Sequence, residues 1–214
     1  MKINTLRSTA LLALATCICC QGPSKGFTSE ELDIINGSDS IMRVLTVENE
    51  ADLSVLRASS SDLSYEMLTS DEYARLADLM VATVTHPSQD GVGIAGPQVG
   101  LNRRVVAVQR FDKEPIVVDG VSGRTDYPFE VYPNIRIAWQ SDSLALGPEG
   151  CLSVPDRRGE VLRSQEIVIE YADMTEINTE AKIPMIRDTV RGFTAVIFQH
   201  EIDHLDGILY IDRL

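Results

Sequence analysis

The sequence predicts an α+β fold, with mixed or antiparallel sheets packed around a central helix that carries an HExxH motif. Three observations predict it. Four short segments are rich in β-branched residues and bounded by turn formers. One segment near the C-terminus has helical periodicity and places two histidines four residues apart. At 214 residues there is room for one domain and little else.

Along the chain, residues 1–20 belong to a different class of sequence from the rest. Lys2 and Arg7 precede TALLALATCICC, a charged start followed by an apolar run too short to span a bilayer as a permanent helix. The pattern reads as a lipoprotein-type signal, with Cys17 as the best lipidation site and Cys19 and Cys20 competing. It predicts a bacterial cell-envelope location, exported or lipid-anchored, and contact with a membrane only through that anchor. The alternative is a cytoplasmic chain. Residues 21–40, QGPSKGFTSEELDIINGSDS, are polar with glycine and serine and read as a flexible tether. The folded domain is expected over 41–214.

Within it, SDEYARLADLMVATVT (70–85) spaces Tyr73, Leu76, Ala77, Met80, Val81 and Val84 at helical intervals behind Ser70 or Asp71 as N-cap. VVAVQ (105–109), PIVV (115–118), FEVYPNIRIAW (129–139) and EIVIEYAD (166–173) read as strands, with turns at Asp119-Gly120 and Ser122-Gly123. The last helix is predicted from about Thr189 to Asp206, with Phe193, Val196, Ile197, Phe198, His200 and His204 inward and Gly207 as its stop. ILYIDRL ends the chain as a short strand or tail.

Composition excludes some classes. The apolar share of 44% is ordinary for a globular chain, and a formal charge of −13 argues against nucleic acid as a partner. Of the 4 cysteines, Cys17, Cys19 and Cys20 crowd into the signal-type segment, so Cys151 stands alone in the main body without a disulfide partner.

QHEIDHLDG, residues 199–207, carries the chemistry. Positions i and i+4 share one helix face, so His200 and His204 can hold one ion together. Glu201 follows the first histidine, where such a metalloenzyme keeps its general base. GVGIAGPQVG (91–100) is an apolar strand-like run loaded with glycine, which marks close approach of another backbone. PEGCLSVP (148–155) sets Cys151 between turn formers. A thiolate with two imidazoles leaves an open position on a divalent metal. His86, in THPSQDG, reads as a solvent-facing loop residue, and Glu149 as a buried hydrogen-bonding partner.

GVGIAGPQ, EGCLS and QHEIDHLDG, in that order, resemble the three motifs of peptide deformylases, and the resemblance runs from about Ile41 to Leu214. It implies that 41–214 is a deformylase-like catalytic domain and that Cys151, His200 and His204 bind one divalent metal. Fe²⁺ is what the family implies, with Zn²⁺ the other candidate. It implies further that Glu201 is the proton shuttle. Gln98, through its side-chain amide, and Leu152, through its backbone N–H, would stabilise the oxyanion. The substrate would be the N-formyl-methionyl end of a peptide or nascent chain, and the protein a monomer. Gly91 and Gly93 would let that peptide pair with the strand edge. Ile94, Phe193, Val196 and Ile197 would line the methionine slot, and Arg158 would help to hold the substrate backbone.

The sequence departs from the family pattern in places. Gly96 replaces the usual second alanine and is expected to loosen the strand near Gln98. WQSDSLALG, in a long Gln98–Glu149 segment, is expected to add a loop over the site, and the chain ends at Leu214, where many members continue into a further helix. Two rival readings use the same ligands: an exported metallopeptidase or amidase of other specificity, and a non-catalytic lipoprotein that binds formyl peptides or metal.

Overall fold

The computed structural model describes residues 25–89, 91–119, 124–177 and 181–214; the signal-type segment 1–20 lies outside them. Four helices come first: α1 Ser29–Asn36, α2 Glu50–Leu56, α3 Tyr65–Leu68 and α4 Asp71–Val84. Strand β1, Gly93–Ala95, runs into a 3-10 turn at Gly96–Val99. Then come β2 Val105–Gln109, β3 Ile116–Asp119, β4 Arg124–Asp126, β5 Phe129–Pro133 and β6 Arg136–Gln140. They are followed by β7 Leu144–Cys151, β8 Val154–Ser164, β9 Glu166–Ala172 and β10 Met185–Arg191. The chain closes with α5 Gly192–Leu205 and a 3-10 turn at Tyr210–Asp212.

Among the described residues, these strands all pair antiparallel. The sheets run β1-β2-β5 and β10-β9-β6, with the two-stranded ribbons β3-β4 and β7-β8 beside them. Strand β2 is buried along its whole length, and its alternation explains why. Val105 and Ala107 pack into the cluster around α4, with Leu76 and Met80. Val106 and Val108 pack on the other face with Phe198 and Ile202 of α5, beside Ile167, Ile169 and Val190 of the second sheet. Helix α5 is therefore enclosed between the two sheets, and most of its residues are buried regardless of face.

The α4 prediction meets its element: Ser70 is the N-cap and accepts from the Tyr73 N–H at 3.2 Å. The tether prediction for 21–40 does not hold where the structure describes it. Thr28 and Glu31 form a capping box that starts α1, and Ile35 is fully buried in the α4 cluster. A polar window with one buried isoleucine looks like a linker until its partner helix is known.

FEVYPNIRIAW, read as one strand, is two. Asn134 takes φ 55° between β5 and β6, which sends them to different sheets. Its amide is locked by the Leu63 backbone: the Leu63 N–H donates to Oδ1 at 2.7 Å, and Nδ2 donates to the Leu63 carbonyl at 3.0 Å. Thr189–Arg191, assigned to the last helix, instead ends β10 and pairs with β9. The WQSDSLALG stretch is not an extra loop. It passes from β6 into β7, and β7-β8 continues the β6-β9 pairing as a long ribbon joined by the Gln165 N–H to Ser143 carbonyl bond at 2.9 Å. ILYIDRL forms the 3-10 turn rather than a strand.

Candidate metal centre

Three elements meet at one point. The tip of the β7-β8 hairpin carries Cys151, paired across the turn with Val154. The buried middle of α5 carries His200, Glu201 and His204. The 3-10 turn after β1 carries Gln98, 1% exposed.

The ligand atoms of Cys151, His200 and His204 all lie within 4.8 Å of one another. Cys151 Sγ is 3.2 Å from His204 Nε2. A tetrahedral ion with bonds of about 2.0–2.3 Å would hold such atoms about 3.3–3.6 Å apart. The donor set suits a borderline or soft divalent cation, and the two rings stand edge to face, 5.1 Å apart. These residues fit a metal.

A carboxylate orients the first imidazole. His200 Nδ1 lies 2.8 Å from Glu149 Oε2, which leaves Nε2 for the ion. Glu149 is itself gripped by Arg163, at 2.7 and 3.0 Å, and Arg163 reaches Asp203 on α5 at 2.6 Å. Burial opposes charge on Glu149, but His200 and Arg163 outweigh it and hold the carboxyl down at about 2. Burial likewise disfavours charge on His200; its contacts with Cys151 and Glu149 prevail and raise it to about 10 in the metal-free arrangement. A cation would displace that proton. His204 is driven the other way, well below its usual value, by burial and by the His200 charge, and is ready as a neutral ligand. Tyr210 stacks on the His200 ring, with centroids 5.9 Å apart.

Glu201 is 4% exposed, and its Oε2 has no hydrogen-bond partner. Burial pushes its carboxyl up to about 7. Gly93 makes room for it: a Cβ at that position would lie 2.5 Å from Glu201 Oε1. Gln98 Oε1 accepts the Ala95 N–H at 2.8 Å, which turns the amide nitrogen toward Cys151 Sγ at 3.5 Å and Ser153 Oγ at 3.3 Å. The Ser153 contact is long and sulfur is a weak acceptor, so that NH₂ can be recruited by a better acceptor.

The group faces a cleft of about 720 Å³. Gly91, Gly93, Gln98, Leu152 and Arg158 line it, with Cys151, His200 and Glu201 at its floor. Phe193, Val196 and Ile197 form one wall. Phe193 is not inward as predicted: it is 57% exposed and lies at the rim against Phe111, with ring centroids 5.3 Å apart. Ile94 is not in the cleft. Strand alternation that turns Gly93 toward Glu201 turns Ile94 into the α4 cluster, fully buried. Gly96 does not loosen the strand end: a Cβ there would lie 2.7 Å from the Arg103 carbonyl oxygen and 2.8 Å from that of Leu101, so alanine would not fit this backbone. Sequence reading passed over Arg163, Asp203 and Tyr210. An arginine at a strand position that alternates inward, beside Val161, was the available signal for the first.

Residues 41–214 match the family model described as polypeptide deformylase. The chain is 31% identical over 174 residues to "Peptide deformylase" of Leptospira biflexa serovar Patoc, covering 81% of this chain and 88% of that one. It is 38% identical over 162 residues to "Peptide deformylase 2" of Gloeobacter violaceus, covering 75% and 74%. Among solved structures it resembles the Met-Ala-Ser-bound class I type b peptide deformylase from Acinetobacter baumannii, with TM-score 0.65 and 32% identity over 81% of this chain and 98% of that one.

Proposed function

The chain belongs to the polypeptide deformylase family and is a metal-dependent deformylase, and we propose that it releases formate from N-formyl-methionyl peptides with the residues of the cleft just described. One observation carries the assignment of roles: a buried carboxylate without a partner, Glu201, shares a cleft floor with three convergent metal-ligand side chains and a re-aimable amide.

Cys151, His200 and His204 would hold the metal, with Glu149 fixing the His200 tautomer through Nδ1. A divalent ion bound there would supply Lewis acidity and lower the pKa of water. Glu201 takes the proton of the attacking water, for which a carboxyl near 7 is well poised, and passes it to the departing amine. Charge building on the formyl oxygen is met by Gln98 Nε2 and the Leu152 N–H. The edge of β1, paired only with β2, accepts the peptide backbone, while Val196 and Ile197 offer the methionine side chain an apolar wall and Arg158 steadies the chain beyond it. Iron is the metal the family resemblance suggests, and the thiolate–imidazole set suits zinc as well.

Formate release from formyl-Met-Ala-Ser by metal-loaded protein, with elemental analysis of the same sample, tests this reading. Hydrolysis of internal amides with no formate released would overturn it. The envelope location rests on Lys2, Arg7, the apolar run and Cys17; N-terminal mass spectrometry with cell fractionation tests it, and a soluble protein retaining Met1 would refute it.

A further inference from the structure

Almost every arginine in the described residues is spoken for. In a chain with 32 acidic residues and 19 basic ones, most of the described arginines meet a carboxylate: Arg43 with Asp52, Arg103 with Glu31, Arg136 with Asp62, Arg187 with Glu170. Arg75 donates to the Ile35 and Ser38 carbonyls instead. Arg157 and Arg158 are exposed and make no ion pair or hydrogen bond, and both line the cleft. Asp156 shares that rim and bonds to neither of them.

The backbone puts them there. Moving back along the hairpin from Cys151↔Val154, the next pair is Gly150↔Arg158, one step on β7 and four on β8. Pro155, Asp156 and Arg157 therefore have no partner on β7, and Asp156 sits at φ 57°. A bulge of this kind re-aims side chains beside a site. Here it turns Arg157 to the cleft mouth, while the Arg158 side chain lies across Gly150, its Cγ 3.6 Å from where a Cβ would stand.

We infer that Arg157 and Arg158 form a carboxylate-selecting rim, so that this deformylase prefers substrates carrying a carboxylate a short distance downstream of formyl-methionine. This rests on the deformylase reading and names the substrate class. A cleft of about 720 Å³ encloses a drug-sized ligand, about a tripeptide, so the group met at the mouth is the C-terminal carboxylate of a short formyl peptide or an acidic side chain near its third residue. Two guanidinium forks without an internal partner can take such a group at little desolvation cost. A protein of net charge −13 would otherwise repel it.

The test compares formyl-Met-Ala-Ser as free acid and as C-terminal amide, with formyl-Met-Ala-Asp-amide as a third arm, using metal-loaded protein at low and high salt. The free acid should exceed the amide in kcat/KM by about five-fold at low salt, the upper range for exposed pairs, and the ratio should shrink with salt. In R157Q/R158Q the ratio should fall to near one. An advantage for the aspartyl amide over the seryl amide assigns the preference to side chains as well as chain ends; its absence confines it to chain ends. Calorimetric binding of Met-Ala-Ser acid and amide reads the same ratio without turnover. Absence of formate release with a retained binding preference would refute the deformylase reading alone, whereas equal binding and equal turnover of acid and amide would overturn the rim.

Discussion

Gly93→Ala tests the geometry of the site through a single methyl group. The added carbon would stand 2.5 Å from Glu201 Oε1 and 2.9 Å from Cγ and Cδ. Ordinary contact needs roughly 3.4 Å, so the carboxylate has to retreat by about 0.9 Å or the strand has to shift. Glu201 is 4% exposed and has little room to retreat. A displacement near 1 Å of a reacting group costs about 10²-fold in rate. Overpacking of this kind destabilises by about 1–3 kcal/mol, offset by about 0.4–1 kcal/mol from the less flexible unfolded chain. The variant should therefore fold, melt slightly earlier, keep its metal and lose about two orders of magnitude in kcat. Formate release, elemental analysis and a thermal melt on one preparation read all three. Turnover above about a fifth of the unmodified rate, with metal retained, would refute the close approach of Gly93 and Glu201 as a functional constraint.

Other outcomes follow from the same contacts. Glu201→Gln should keep the metal and lose roughly 10²–10⁴-fold in turnover, since glutamine cannot accept the proton; retention of more than about a tenth of the rate would mean another base. Cys151→Ala removes the one anionic ligand, and chelator challenge should strip its metal far faster than from the unmodified protein. Because Glu201 acts as a base only when ionised and sits near 7 without metal, kcat/KM should rise with pH through a midpoint at or below about 7; a flat profile from pH 5 to 8 contradicts the role. Arg163→Met leaves Glu149 buried without its guanidinium partner, while Asp203 keeps Arg213, and should cost about 3 kcal/mol in a denaturant melt, with metal affinity reduced about 10–100-fold as the Glu149 anchor of His200 loosens.

Much of the site was legible in the sequence because its chemistry is local. His200, Glu201 and His204 fall on one helix, and Gln98 and Cys151 each sit in a glycine-bearing motif. What escaped depends on tertiary context. Ile94 was assigned to the cleft on its apolar character, yet one step along a strand reverses the face. Arg163 reads as a solvent residue between Leu162 and Ser164, although Leu162 is 54% exposed and Arg163 is 4%. The inversion arises because the ribbon presents a buried charge network to α5 and an apolar face to solvent. Helix α1 was lost in a polar window because what holds it is tertiary: Ile35 buried and Ile34 packed against the α4 cluster, and Glu31 paired with the distant Arg103.

Strand β1 is only three residues long, and its free edge borders the cleft. An exposed sheet edge invites pairing with any extended chain, including another copy of the same protein. Here the invitation is brief, because Gly96-Pro97 bends the backbone into a 3-10 turn at once. A passing strand would find too few donors and acceptors to register against, whereas the first residues of a peptide entering by its end need no more than that. Brevity thus limits how far any extended chain can register along this edge.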